Sequence, residues 1–217
     1  MPKRLGHSVS SRGSVFQFKV TLADIEPSVW RRIQVSGDAT FWALHVAIQD
    51  AFGWEDRHLH EFRVPARGGS VRLGIPDPSG FDENPPLADW TVALGEYIRT
   101  VGQEFVYTYD FGDDWRHVVT FEGQVAAEPR KRYPRLVDGA NACPPEDVGG
   151  PPGYFEFLEA LHNSAHVRHQ EFKSWIGRPF DPSMFDARRV RFDDPNERLV
   201  EAGLVRQAPR LRKKTRV

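Results

Sequence analysis

The chain has 217 residues, 40% of them hydrophobic and 27% charged, proportions that suit a globular protein with one large core. No apolar run approaches the about 20 residues a membrane helix needs. The basic start MPKRLGHSVSSRG has no apolar stretch behind it, so neither a membrane protein nor a secretory leader is expected. The single cysteine, Cys143, excludes an internal disulfide and fits a cytoplasmic location. The formal charge of −1 hides an asymmetry: nine of the 29 cations lie in residues 1–13 and 206–217, which hold no acid, leaving 20 cations against 30 acids between. An acidic body with basic ends is not the footprint of a duplex-DNA reader, which carries its cations on the folded surface. Nucleic acid could still meet the tail through Arg210, Arg212, Lys213, Lys214 and Arg216; the alternative is a solvated, frayed terminus.

Residues 1–13 read as a disordered leader, 14–205 as a single domain and 206–217 as a basic disordered tail. Within the domain, Val15–Leu22 and Val29–Val35 read as a hairpin, rich in strand formers and joined by a turn holding Asp24 and Pro27. Thr40 is placed to cap a helix over Phe41–Phe52, with Leu44, Ala47, Ile48 and Ala51 on one stripe and Gly53 at its end. His58–Val64 is expected as a strand, which would put His58 and His60 on one face. Pro65–Leu87 reads as mostly loop, with room for a short strand at Ser70–Leu73, and Ala88–Arg99 as a turn leading into a helical turn. Phe105–Tyr109 and Trp115–Phe121 alternate around DFGDD and predict a second hairpin. Ala126–Ala142 reads as irregular, and the prolines and paired glycines of Pro144–Pro152 argue against helix or central strand. Helices are expected around Phe155–Leu161, Ala165–Ile176, Pro182–Asp193 and Asn196–Val205. Strands first and helices last give an α+β fold, a mixed or antiparallel sheet with one early helix packed on it and a C-terminal helical section.

Several stretches then converge on one family. VWRRIQV, the helix with His45, GWEDRHLHEF, YTYDFGDDWRHVVTF, YPRLVDGANACPPEDVGGPPGYFEFLEAL and FDPSMFD occur in order from Val15 to Phe192 and resemble the plasmid pRiA4b ORF-3-like family. The resemblance implies an α+β fold in a soluble bacterial or archaeal protein, often associated with mobile elements, and it implies no firm activity. Some relatives carry a transposon-resolvase label. A serine resolvase presents its nucleophile from an N-terminal strand, whereas Ser8, Ser10 and Ser11 lie here in the leader.

Three polar runs hold the candidate site residues. In DFGDD, Asp110, Asp113 and Asp114 are more carboxylates than a turn needs, and together they could hold a divalent cation; the plainer reading has them bonding turn N–H groups. His58 and His60 have workable spacing for a transition metal, with an acid of DFGDD, His117 or Cys143 as further ligands; the plainer reading leaves one histidine at the surface and the other capping a core polar group. A metal set of His58, His60, Asp113 and Asp114 can be drawn, although no CxxC or HExxH spacing identifies it. Cys143 sits beside Glu146 and Asp147, acids that would raise its pKa, so a structural thiol competes with a nucleophile. Trp115 could line a groove or belong to the core. With no recognisable catalytic constellation in the sequence, and with the family resemblance, the first reading is a binding or interaction module for a protein or small-molecule partner. The polar residues support the alternative, a metal-dependent hydrolase, with a phosphoester as one substrate class, using a divalent ion and His, Asp and Glu side chains. The question that separates them is whether the three runs meet in space.

Overall fold

The alternating stretches of the sequence become the middle of one sheet. In the computed structural model, which describes residues 13–77, 79 and 82–206, the strands are β1 (Ser14–Leu22), β2 (Trp30–Ser36), β3 (His60–Ala66), β4 (Gly69–Gly74), β5 (Leu87–Ala88), β6 (Glu104–Tyr109), β7 (Trp115–Ala126) and β8 (Arg135–Ala140). Their order is β5-β4-β3-β6-β7-β1-β2-β8. All neighbours are antiparallel except β4 and β5, so the sheet is mixed. Register puts Phe62, Tyr107 and His117 in line, and Phe18, Phe121 and Ile33 in another line, all on the buried face. The opposite face carries Lys19, Arg32, Thr120 and Glu122, which are not buried. There Glu122 takes both Arg32 Nε (2.7 Å) and Nη2 (2.8 Å).

Helix α1 (Phe41–Phe52) lies over the buried face. Ala43 N–H donates to Thr40 Oγ1 at its start (3.2 Å), and Gly53 ends it at φ 83°. Leu44, Ala47, Ile48 and Ala51 belong to the main core, while Trp42 and Val46 pack outward against Leu199. Leu199 lies on α5 (Pro195–Glu201), so α1 is covered on both sides. A short helix α2 (Leu94–Tyr97) follows a 3-10 turn at Asp89–Thr91. The helical section continues the same core through Tyr154 and Phe157 of α3 (Gly150–His162) and Phe172 of α4 (His169–Ile176). The fold is therefore α+β, as expected. Among the described residues no helix is long and apolar enough to cross a membrane.

Four local expectations are corrected. The strand expected from His58 begins at His60, so His58 sits in the preceding loop. Residues 126–142 contain β8, an edge strand whose half-exposed residues do not alternate. Helix α3 starts at Gly150, because Pro151 and Pro152 fall in its first turn, where a missing N–H costs nothing. The stretch 182–193 forms only a 3-10 turn, Ala187–Arg189. Apart from Gly13 and Arg206, the leader and the basic tail, including Arg210, Arg212, Lys213, Lys214 and Arg216, lie outside the described residues.

Candidate functional site

The three polar runs meet at one end of the β6–β7 hairpin. The loop after α1 is anchored by Trp54, whose ring stacks on Tyr109 (centroids 5.1 Å apart) and whose Nε1–H donates to Pro144 O (3.0 Å). Glu146 accepts from the backbone N–H of Glu55 (2.7 Å) and from the Tyr109 hydroxyl (3.1 Å), and Tyr109 in turn accepts from Arg57 N–H (3.0 Å). The turn is pinned to the same loop from below: Asp113 Oδ2 accepts from Gly149 N–H (3.1 Å). Gly150, at φ 67°, lies so close to the Asp113 carbonyl that a Cβ would collide with it. The GGPPGY glycines are thus the residues that let this loop dock.

His58 stands at the junction. Its Nε2 lies 2.8 Å from Asp147 Oδ1 and 3.5 Å from Asp110 Oδ2, and one ligand atom from each residue falls within 4.8 Å of the other two. Asp110 and Asp147 hold left-handed backbone conformations, φ 54° and 56°, which aspartate tolerates better than most residues. Asp110 spends its other oxygen on the turn, accepting from Gly112 N–H (2.9 Å) and Asp113 N–H (3.3 Å). Partial burial works against the His58 imidazolium. The Asp147 bond and the charges of Asp110, Asp147 and Glu146 outweigh it and raise the His58 pKa above 6.5. Burial likewise raises the Glu146 carboxyl, against the bonds it accepts from Glu55 and Tyr109.

The other expected residues are placed elsewhere. His60 points into the core, where its Nε2 meets Asp89 Oδ2 at 2.7 Å and both side chains are fully buried. Asp113 serves the loop and Asp114 pairs with Arg116 Nε (3.2 Å), so the drawn set of His58, His60, Asp113 and Asp114 does not converge. Trp115 is core, near Trp54. His117 is core too: burial lowers its pKa to about 3, and its ring meets Phe52 and Trp54 edge-on. Burial pushes the Cys143 thiol well up against the opposing charge of Arg31, which disfavours a thiolate nucleophile. Arg31, itself buried, donates to Ala51 O, Trp30 O, Ala140 O and Asn141 O and stacks on Phe185 (3.7 Å).

Sequence reasoning missed a second polar cluster beneath α1, made by Gln49, Asp56, Asp89 and Arg198 around His45 and His60. Asp89 offered no signal, since it sits in a stretch that reads as a turn. Asp56 was visible in GWEDRHLHEF, one turn of loop beyond the helix that carries His45.

The mixed eight-stranded sheet with its helices makes this an α+β protein. Residues 14–189 match the model of the plasmid pRiA4b ORF-3-like protein family, and the chain belongs to that family. It is 38% identical over 203 residues to the uncharacterized protein y4hQ of Sinorhizobium fredii (strain NBRC 101917 / NGR234), covering 93% of this chain and 98% of that one. The crystal structure of MM3350 from Methanosarcina mazei Go1, described as a protein of unknown function, superposes with a TM-score of 0.75 at 38% identity. That match covers 82% of this chain and 98% of the other.

Proposed function

We propose that the chain is a binding module whose site is a divalent cation held by His58, Asp110 and Asp147, leaving open coordination positions for an anionic group of a protein or small-molecule partner. The observation that carries this reading is the convergence of two carboxylates on one imidazole nitrogen, with a third, Glu146, close enough to raise the His58 pKa. A single N–H serves one acceptor well; a cation in its place serves both and offsets the surplus negative charge. One imidazole nitrogen and two carboxylate oxygens suit Mn²⁺ or Zn²⁺ better than Ca²⁺, which favours an all-oxygen shell. Three protein ligands leave room for exchangeable ones.

A second reading, a metal-dependent hydrolase, is favoured by Glu146. Its carboxyl has a raised pKa beside the cation position and is bonded to Tyr109, the placing of a general base for a metal-bound water.

Calorimetric titration with Mn²⁺ tests the binding reading. Manganese affinity should fall at least tenfold in His58→Ala. In the native chain it should strengthen as pH rises through and above 6.5, because the ion competes with the His58 proton. Unchanged affinity in His58→Ala would sink this reading. Turnover of a generic phosphomonoester with the bound ion, abolished in Glu146→Gln while the ion still binds, would establish the hydrolase instead.

A further inference from the structure

We propose that the chain holds a second divalent transition-metal ion, of the Zn²⁺ class, buried beneath Trp42 and ligated by His45, Asp56 and His60. One ligand atom from each of these residues lies within 4.8 Å of the other two. Ligands at about 2.0–2.2 Å from a tetrahedral ion sit roughly 3.3–3.6 Å apart, so a small contraction forms the site. The two imidazoles lie face to face, centroids 3.5 Å apart and planes 9° from parallel, so their ring nitrogens stand side by side.

The surroundings are those of a metal site. A ligating histidine ordinarily donates its second N–H to a carboxylate or hydroxyl that fixes its orientation. His60 does this through Nε2 to Asp89 (2.7 Å), and His45 has Nδ1 against the Tyr107 hydroxyl (2.8 Å), leaving His45 Nε2 facing Asp56 Oδ1 (3.0 Å). His60 Nδ1, on a fully buried side chain, has no hydrogen-bond partner among the described residues, and Asp89 Oδ1 and Gln49 Oε1 are in the same position. Such buried orphans are costly and ask for an explanation. A ligand at His60 Nδ1 supplies one. The Gln49 amide can turn over to present Oε1 to the Tyr107 O–H, which frees the Tyr107 oxygen to accept from His45 Nδ1 and releases His45 Nε2 for the ion.

Charge points the same way. Arg198 is shared among Asp50 (2.9 Å), Asp56 (3.2 Å) and Asp193 (2.9 Å), while the buried Asp89 pairs with His60. The buried layer carries more carboxylates than fixed cations, and a dication redresses this. Trp42, packed on both imidazoles at 5.0 and 5.9 Å, closes the site from the α5 side, so the ion would be enclosed and structural. It would tie α1, the loop after it and β3 together.

Zinc titration of the chelator-treated full chain, read by elemental analysis after desalting, tests this together with imidazole ¹⁵N spectra. Two equivalents are expected in the native chain and one in His58→Ala. One is also expected in Asp56→Asn, since asparagine tolerates the φ of 56° at that position. In His58→Ala the first equivalent should shift the His45 and His60 nitrogens. Zinc bound by His58→Ala with those nitrogens unmoved, or no zinc retained by it, would overturn the buried site. One equivalent in the native chain, kept in His58→Ala and lost in Asp56→Asn, would support the buried site while refuting the one at His58.

Discussion

His58, His60 and His117 are the same residue type in three environments, and their chemistry follows from what surrounds each. His58 is half-buried beside three carboxylates and is pushed toward its charged form. His117 is enclosed by Phe52 and Trp54 and is held neutral, with a pKa near 3; His45 is lowered to about 4 by burial and the neighbouring His60. Because His45 and His117 bind a proton more readily unfolded, at 6.5, than folded, their contribution to stability is complete above pH 6.5 and is lost as pH falls toward 4 and 3. Asp50, raised to about 6 by burial, acts oppositely below neutrality, so a single variant isolates the effect. His117→Phe keeps the ring contacts and removes the titration. Its urea midpoint should fall less steeply than that of the native chain between pH 6.5 and 4, and parallel curves would contradict this account of His117.

At the scale of elements, the sequence disclosed what periodicity controls. The β1–β2 and β6–β7 hairpins, α1 with its Thr40 cap and Gly53 stop, and the α+β order were all legible, because alternation and capping are local. The strand β8 was not, since an edge strand earns its place by pairing with β2 rather than by its own pattern. The start of α3 was obscured by prolines that stop a helix interior but are tolerated in a first turn. His58 and His60 were expected on one face; a start two residues later separates them, sending one into the loop and the other into the core. That the three polar runs join was not legible either, because their contacts span 36 to 91 positions along the chain. The docking of the 144–150 loop nonetheless rests on a feature visible in GGPPGY. Gly150→Ala places a Cβ against the Asp113 carbonyl in a left-handed backbone. It should lower unfolding stability by about 2 kcal/mol and weaken cation binding by moving Asp147 away from His58. A urea midpoint and a cation affinity both equal to the native ones would show that the loop docks by other means.

For the molecule as a whole, one face of the sheet is filled by α1 and the C-terminal helices, and the candidate cation position lies where the β6–β7 hairpin, the loop after α1 and the loop before α3 come together. The hairpin supplies Asp110, the first loop His58 and the second Asp147, while Trp54, Tyr109, Glu146 and Gly149 fasten the three pieces to one another. The acidic body between the basic ends is consistent with a cation held at this junction. Anomalous diffraction from crystals soaked in Mn²⁺ is the most direct test. The account predicts a manganese peak about 2.2 Å from His58 Nε2, Asp110 Oδ2 and Asp147 Oδ1, a typical distance for nitrogen and oxygen ligands. No peak at these three atoms at saturating Mn²⁺ would contradict it.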